Sequence, residues 1–140
     1  MASEIVLGYD GSDGAKAALP QAVALAGAFK VPLVAVFAYG VNPIGGVVGD
    51  VERETEKIGQ AFLDEASAEA KQLDAGVTVV QVLAAAAPVE ALAKLSEERG
   101  ARILVIGGNG HAAMIGTLLG SVGYKLLHHT VTPVLVVHPT

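Results

Sequence analysis

"ARILVIGGNGHAAMIGTLLGS", residues Ala101–Ser121, decides the fold. Its opening run of aliphatics, Ala101–Gly107, reads as a buried strand. The part from Gly107 to Ser121 then carries five glycines in fifteen residues. Glycine weakens regular structure by about 0.5–1 kcal/mol per helix position relative to alanine. So dense a run marks backbone that must come close to something. The connection runs to about thirteen residues, where a strand-to-helix turn usually takes about two to six. Ser121 stands at an N-cap position before "VGYKLLHH". A helix amino terminus offers free N–H groups and a positive dipole end to an anion. Strand, long glycine loop and capped helix together point to anion or nucleotide binding.

Outward from this stretch, aliphatic runs alternate with helical periods. "EIVLGY" (Glu4–Tyr9) is a strand, and Ser12–Phe29 is a helix in which Pro20 predicts a kink or a late start. "VPLVAVFAY" (Val31–Tyr39) is a second strand and "VNPIGGVVGD" (Val41–Asp50) a loop. That loop is either a lid over the site or an unstructured connection. Glu52–Leu73 is a helix with Ile58, Phe62, Ala66 and Leu73 near one face. "VTVVQVL" (Val77–Leu83) is a third strand. Pro88 opens a helix at its first turn, which ends at Gly100. After the strand Ala101–Gly107 come a helix, Ser121–His129, and a last strand, "PVLVVH" (Pro133–His138). Nearly continuous aliphatic strands between helices predict an α/β fold, a parallel sheet with helices on both faces. The 140 residues fit one domain, 1–140.

Composition narrows the function. Apolar residues make up 52%, with no Trp and no Cys, so thiolate chemistry is excluded. The net charge is −5 with scattered basic residues, which argues against a nucleic-acid partner. No apolar run reaches the roughly 18 residues a membrane helix needs. The chain enters a strand-like run without a basic leader, so we expect a cytoplasmic protein.

A second loop, "GYDGSDG" (Gly8–Gly14), also joins a strand to a helix, and open α/β sheets bind ligands beyond the carboxyl ends of their strands. Neither loop carries the P-loop motif or the dinucleotide fingerprint. Asp10 is a candidate for a nucleoside or metal contact, or for a plain turn. Asp13 suits a helix amino terminus, and His111 a solvated loop. His128 and His129 point about 100° apart on a helix and do not form a zinc site. His138, on the last strand, reads as peripheral.

Gly107-x2-Gly110-x9-Gly120-Ser121 fits G-x2-G-x9-G-[ST]. This resembles the signature of the ATP-binding branch of the universal stress protein family. "IVLGYDGS" and "PVLVVHP" resemble the family's first and last strands, so the likeness covers the whole chain. The resemblance implies an open five-stranded sheet in the order 3-2-1-4-5, Rossmann-like and similar to the adenine nucleotide alpha hydrolases. The two glycine loops would then face one crevice. It implies ATP or AMP as ligand, with Mg²⁺. Gly107 and Gly110 would wrap the ribose and phosphates, and Gly120, Ser121 and the Val122 amide would hold phosphate oxygens. Asp10 would contact the nucleoside or a metal-bound phosphate, and Gly8, Ala38 and Ile106 would line the adenine and ribose. The resemblance also implies a homodimer through the edge strand 133–138. The family often has a basic residue just after the second glycine; here Asn109, His111, Ala112 and Ala113 surround it.

Three functions fit these residues: an adenine-nucleotide-binding regulatory protein of the stress response, a dimeric interaction module without nucleotide, and an enzyme on a related fold. No matched nucleophile and base stand out, so the enzyme reading reduces to slow ATP hydrolysis through metal and positioning.

Overall fold

The computed structural model describes residues 3–40, 48–108 and 120–139. Within them strands and helices alternate: β1 (Ile5–Gly8), α1 (Asp13–Phe29), β2 (Leu33–Ala38), α2 (Val48–Leu73), β3 (Val79–Ala84), α3 (Pro88–Glu98), β4 (Ile103–Gly107), α4 (Gly120–His129) and β5 (Val134–Val137). The sheet has the order β3-β2-β1-β4-β5, and every pairing is parallel. The order implied by the family resemblance is the one found.

Strand alternation sorts the core into two layers. Ile5, Leu7 and Val105 pack on one face with Ala15, Ala18, Leu19 and Ala22 of α1 and Ala66 and Ala70 of α2. Val6, Leu104 and Ile106 pack on the other with Leu92 of α3 and Leu126 of α4. Central β1 therefore buries Ile5, Val6 and Leu7 completely, each contributing about 1.5–3 kcal/mol. Edge strand β5 fully buries none of its four residues.

Ser12 caps α1, its hydroxyl accepting from the Ala15 amide at 3.2 Å. The expected late start is not seen: α1 begins at Asp13 and runs through Pro20 to Phe29. Pro20 lies on the exposed face, as does Lys16 one turn earlier, so the carbonyl that loses its partner is on the solvent side. Helix α2 also departs from expectation. It starts at Val48, within the stretch read as loop, and Asp50 places a carboxylate in its first turn, where the helix dipole favours it. Its buried stripe is Gly59, Leu63, Ala66 and Ala70, not the line through Ile58 and Leu73, which are 53% and 51% exposed. A side chain at Gly59 would strike the Phe37 ring. The helix turns its small residues to the sheet for close approach and leaves two large ones in water.

An exposed proline inside a helix forfeits one backbone hydrogen bond. Pro20→Ala is expected to stabilise the protein by about 1–3 kcal/mol, read as a raised midpoint in urea denaturation.

Candidate functional site: the crevice between β1 and β4

Strands β1 and β4 are neighbours, yet α1 covers one face of the sheet and α4 the other. In an open α/β sheet such a switch of faces between neighbouring strands marks where ligands bind, beyond the carboxyl ends. After β1, the Tyr9 amide donates to Val36 O at 2.8 Å and continues the ladder. Asp10 then turns the chain, its Oδ1 accepting from the Ser12 amide at 2.9 Å. Its other carboxylate oxygen is left for solvent or a ligand, and the residue is exposed. Gly11 has φ +78°, and the place of its missing side chain is filled by the Phe62 ring of α2. A substitution there would meet both backbone strain and a ring.

The start of the glycine loop is packed directly on α1. A side chain on Gly107 would strike the backbone of Gly14 and Ala15, and one on Gly14 would strike the Gly108 carbonyl. Gly107 thus serves helix-to-strand contact, whatever it also offers a ligand. The room beside Gly8 is taken by α3: a side chain at Gly8 would come within 3.0 Å of Leu92 Cδ1. Ile106 is a core side chain, 4% exposed, so only its backbone is available to the crevice. Ala38 ends β2, half-buried beside Ala84. Gly120, Ser121 and Val122 form the first turn of α4. Gly110, with Asn109, His111, Ala112 and Ala113, lies outside the described residues, as do residues 41–47 of the loop read as a lid.

Four residues here were given no role at the site from the sequence: Gly14, named only as the end of its loop, Phe62, named only as a helix-face residue, and the two tyrosines that follow β1 and β2. Tyr9 OH donates to Glu65 Oε1 at 3.4 Å and Tyr39 OH to Glu56 Oε1 at 2.7 Å. Both tie the acidic flank of α2 to the crevice. Burial, then the Glu65 and Glu69 carboxylates, pushes the Tyr9 phenol up to about 12. For Tyr39 the hydrogen bond to Glu56 comes first, also to about 12. His138 is exposed, and its imidazole lies against Gly108. Only spatial proximity, not spacing, could have marked these residues. Among the described residues no group of three or more His, Asp or Glu side chains could hold a metal, and no described helix could cross a membrane. A separate groove of about 410 Å³ lies at the opposite, amino end of the strands, lined by Lys30, Pro32, Asp74 and Thr78 among others. It takes no part in the crevice.

The model of the universal stress protein family matches residues 1–138. The chain belongs to the universal stress protein family. It is 34% identical over 141 residues to a universal stress protein of Mycobacterium tuberculosis, covering 97% of this chain and 96% of that one. It is 32% identical over 137 residues to one of Mycolicibacterium smegmatis, of which it spans 96% of its own length but 45% of the relative's. Among solved structures, it resembles a universal stress protein crystallised in complex with cAMP, with a TM-score of 0.77 and 32% identity over 99% of this chain and 98% of that chain.

Two changes test the geometry. Gly14→Ala forces the helix off the loop, and a loss of about 1–3 kcal/mol is expected, measured by thermal or urea unfolding. The raised phenol favours the folded state while protonated. Its contribution is present below the unfolded value of 10.0 and is lost as pH rises towards about 12. Tyr9→Phe should therefore flatten the fall in stability across that window, followed by urea denaturation at stepped alkaline pH.

Proposed function

We propose that this chain is an adenine-nucleotide-binding regulatory protein of the stress response, taking ATP across the β1–β4 crevice. The observation that carries the reading is the backbone contact between Gly14 and Gly107, which brings the Asp10 loop and the glycine loop to one place. The family relative crystallised with cAMP supports adenine nucleotides as the class. In this reading Gly8, Ala38 and the Ile106 backbone flank the base and ribose. Gly107 and Gly110 let the chain approach the phosphates, and Gly120, Ser121 and the Val122 amide meet phosphate oxygens at the start of α4. The uncommitted Asp10 oxygen fits a Mg²⁺ ion that is otherwise held by phosphates and water. Bound there, the ion would offset phosphate charge and could support slow hydrolysis.

A second reading, a dimeric interaction module, is favoured by one observation. Leu127 and Val131 are 51% and 95% exposed beside edge strand β5, whose own Leu135 is 36% exposed. An apolar edge invites pairing, and a homodimer through 133–138 is compatible with either function.

The test is to denature purified protein, identify released nucleotide by mass spectrometry, and titrate the emptied protein with ATP, AMP and GTP by calorimetry, with and without Mg²⁺. Micromolar adenine-nucleotide binding is expected. Gly110→Val should weaken it by at least about tenfold while the circular dichroism spectrum is kept. Absence of heat at millimolar ATP would move the assignment to the interaction module.

A further inference from the structure

Asp10 stands in a turn that is fixed by its own neighbours at every residue but one. Before it, the Tyr9 amide donates to Val36 O at 2.8 Å and belongs to the sheet. After it, Ser12 is bound into α1: its hydroxyl accepts from the Ala15 amide at 3.2 Å and its carbonyl from the Lys16 amide at 2.9 Å. Between them lies Gly11, at φ +78°. Glycine populates positive and negative φ about equally. A change of torsion there would turn the Ser12 amide away from Asp10 Oδ1, to which it now donates at 2.9 Å, and the carboxylate would be free to swing.

The restraint on Gly11 comes from outside the turn. A side chain at Gly11 would strike Cδ1, Cε1 and Cζ of Phe62, one edge of the ring. Phe62 is itself held. It is partly buried against the α1 layer of the core, and its ring lies 6.1 Å from that of Phe37, tilted by 35°. Phe37 in turn is pressed against α2 at Gly59. On either side of Phe62 in sequence, α2 is tied to the residues that follow β1 and β2, through Glu65 to Tyr9 and through Glu56 to Tyr39. An anchored helix thus delivers the ring to the glycine.

We propose that Phe62 is a positioning residue of the nucleotide site: its ring, filling the space where Gly11 has no side chain, holds the Asp10 turn in the shape that presents the free carboxylate oxygen to the ligand. The proposal rests on the nucleotide-binding reading and on Asp10 as one of its contacts. Phe62 itself touches no ligand. Ordering a flexible loop on binding costs affinity, and a group fixed before the ligand arrives avoids that cost. Glycine at 11 is needed for the positive φ, and the ring is needed because a glycine there would not stay in one conformation by itself.

The experiment is calorimetric titration of the full chain with ATP at fixed Mg²⁺, for wild type, Phe62→Leu, Asp10→Asn and the double variant, with Leu63→Val as a control. Leucine at 62 keeps an apolar side chain under α2 but removes the ring. Asparagine at 10 keeps the acceptor for the Ser12 amide and replaces the free oxygen by an amide nitrogen. Leu63 is fully buried on the same helix, whereas the three atoms nearest a side chain at Gly11 all belong to Phe62. Leu63→Val therefore reports what loosening the core under α2 does by itself, and urea midpoints are recorded for every variant. Phe62→Leu is expected to weaken ATP binding about fivefold, the scale for residues coupled through a shared stretch of backbone, and Leu63→Val by less than about twofold. In the Asp10→Asn background Phe62→Leu should add no further loss. The proposal is overturned if Phe62→Leu binds ATP like wild type, if Leu63→Val weakens binding as much, or if Phe62→Leu costs the same fold with and without the Asp10 carboxylate. Wild-type affinity in Asp10→Asn would overturn the Asp10 contact and this proposal with it, while nucleotide binding would stand. A wild-type protein that binds no ATP would overturn the nucleotide reading as well.

Discussion

The contact between the first turn of α1 and the end of β4 sets the geometry of everything around it. Gly14 and Gly107 meet backbone to backbone, with no side chain between helix and strand. That approach fixes where the glycine loop begins and how near the Asp10 turn stands to it. Close-packed interiors do not yield easily to an added methyl group, so the two loops cannot drift apart independently. The same device recurs under α2, where Gly11 admits the Phe62 ring and Gly59 rests on Phe37. Aromatic rings 6.1–6.3 Å apart then link Phe62, Phe37 and Tyr39. The crevice is shaped less by what its residues present than by side chains that are missing.

Much of the architecture was legible in the chain. Runs such as "ARILVI" and "VPLVAVFA" have no period-2 alternation, and strands buried on both faces need none. Pro88 marked a helix start because its missing N–H is a local effect, and Ser12, read as the first residue of its helix, is the N-cap of α1. Strand order was not local information: it came with the resemblance, carried by the spacing from Gly107 to Ser121. What escaped was proximity. Gly14 and Gly107 lie on different elements, as do Gly11 and Phe62, and His138 and Gly108. Nothing in either local sequence reports the other. The face of α2 escaped for a related reason. Ile58 and Leu73 look like core residues by hydropathy, but the helix approaches the sheet through glycine and alanine.

Helix α2 has a double character. Its inner stripe is small and apolar, and its flank carries Glu56 and Glu65, which accept hydrogen bonds from Tyr39 and Tyr9. Those phenols stand at the ends of adjacent strands, so one helix holds both. Each of these hydrogen bonds joins α2 to a strand end at the crevice. The acidic flank of α2 therefore includes two residues with fixed partners.

The strand order also governs how this chain can assemble as it is made. β1, β2 and β3 form a contiguous half that can pair as soon as it leaves the ribosome, whereas the other edge of β1 waits for β4. Val6 and Val34, facing the α3–α4 layer, stay uncovered over the same interval. A parallel sheet closed by such distant pairing folds slowly, and an unpaired strand edge beside bare apolar surface is open to association with other chains. The central strand, the most deeply buried in the finished molecule, is thus the one left exposed longest during synthesis.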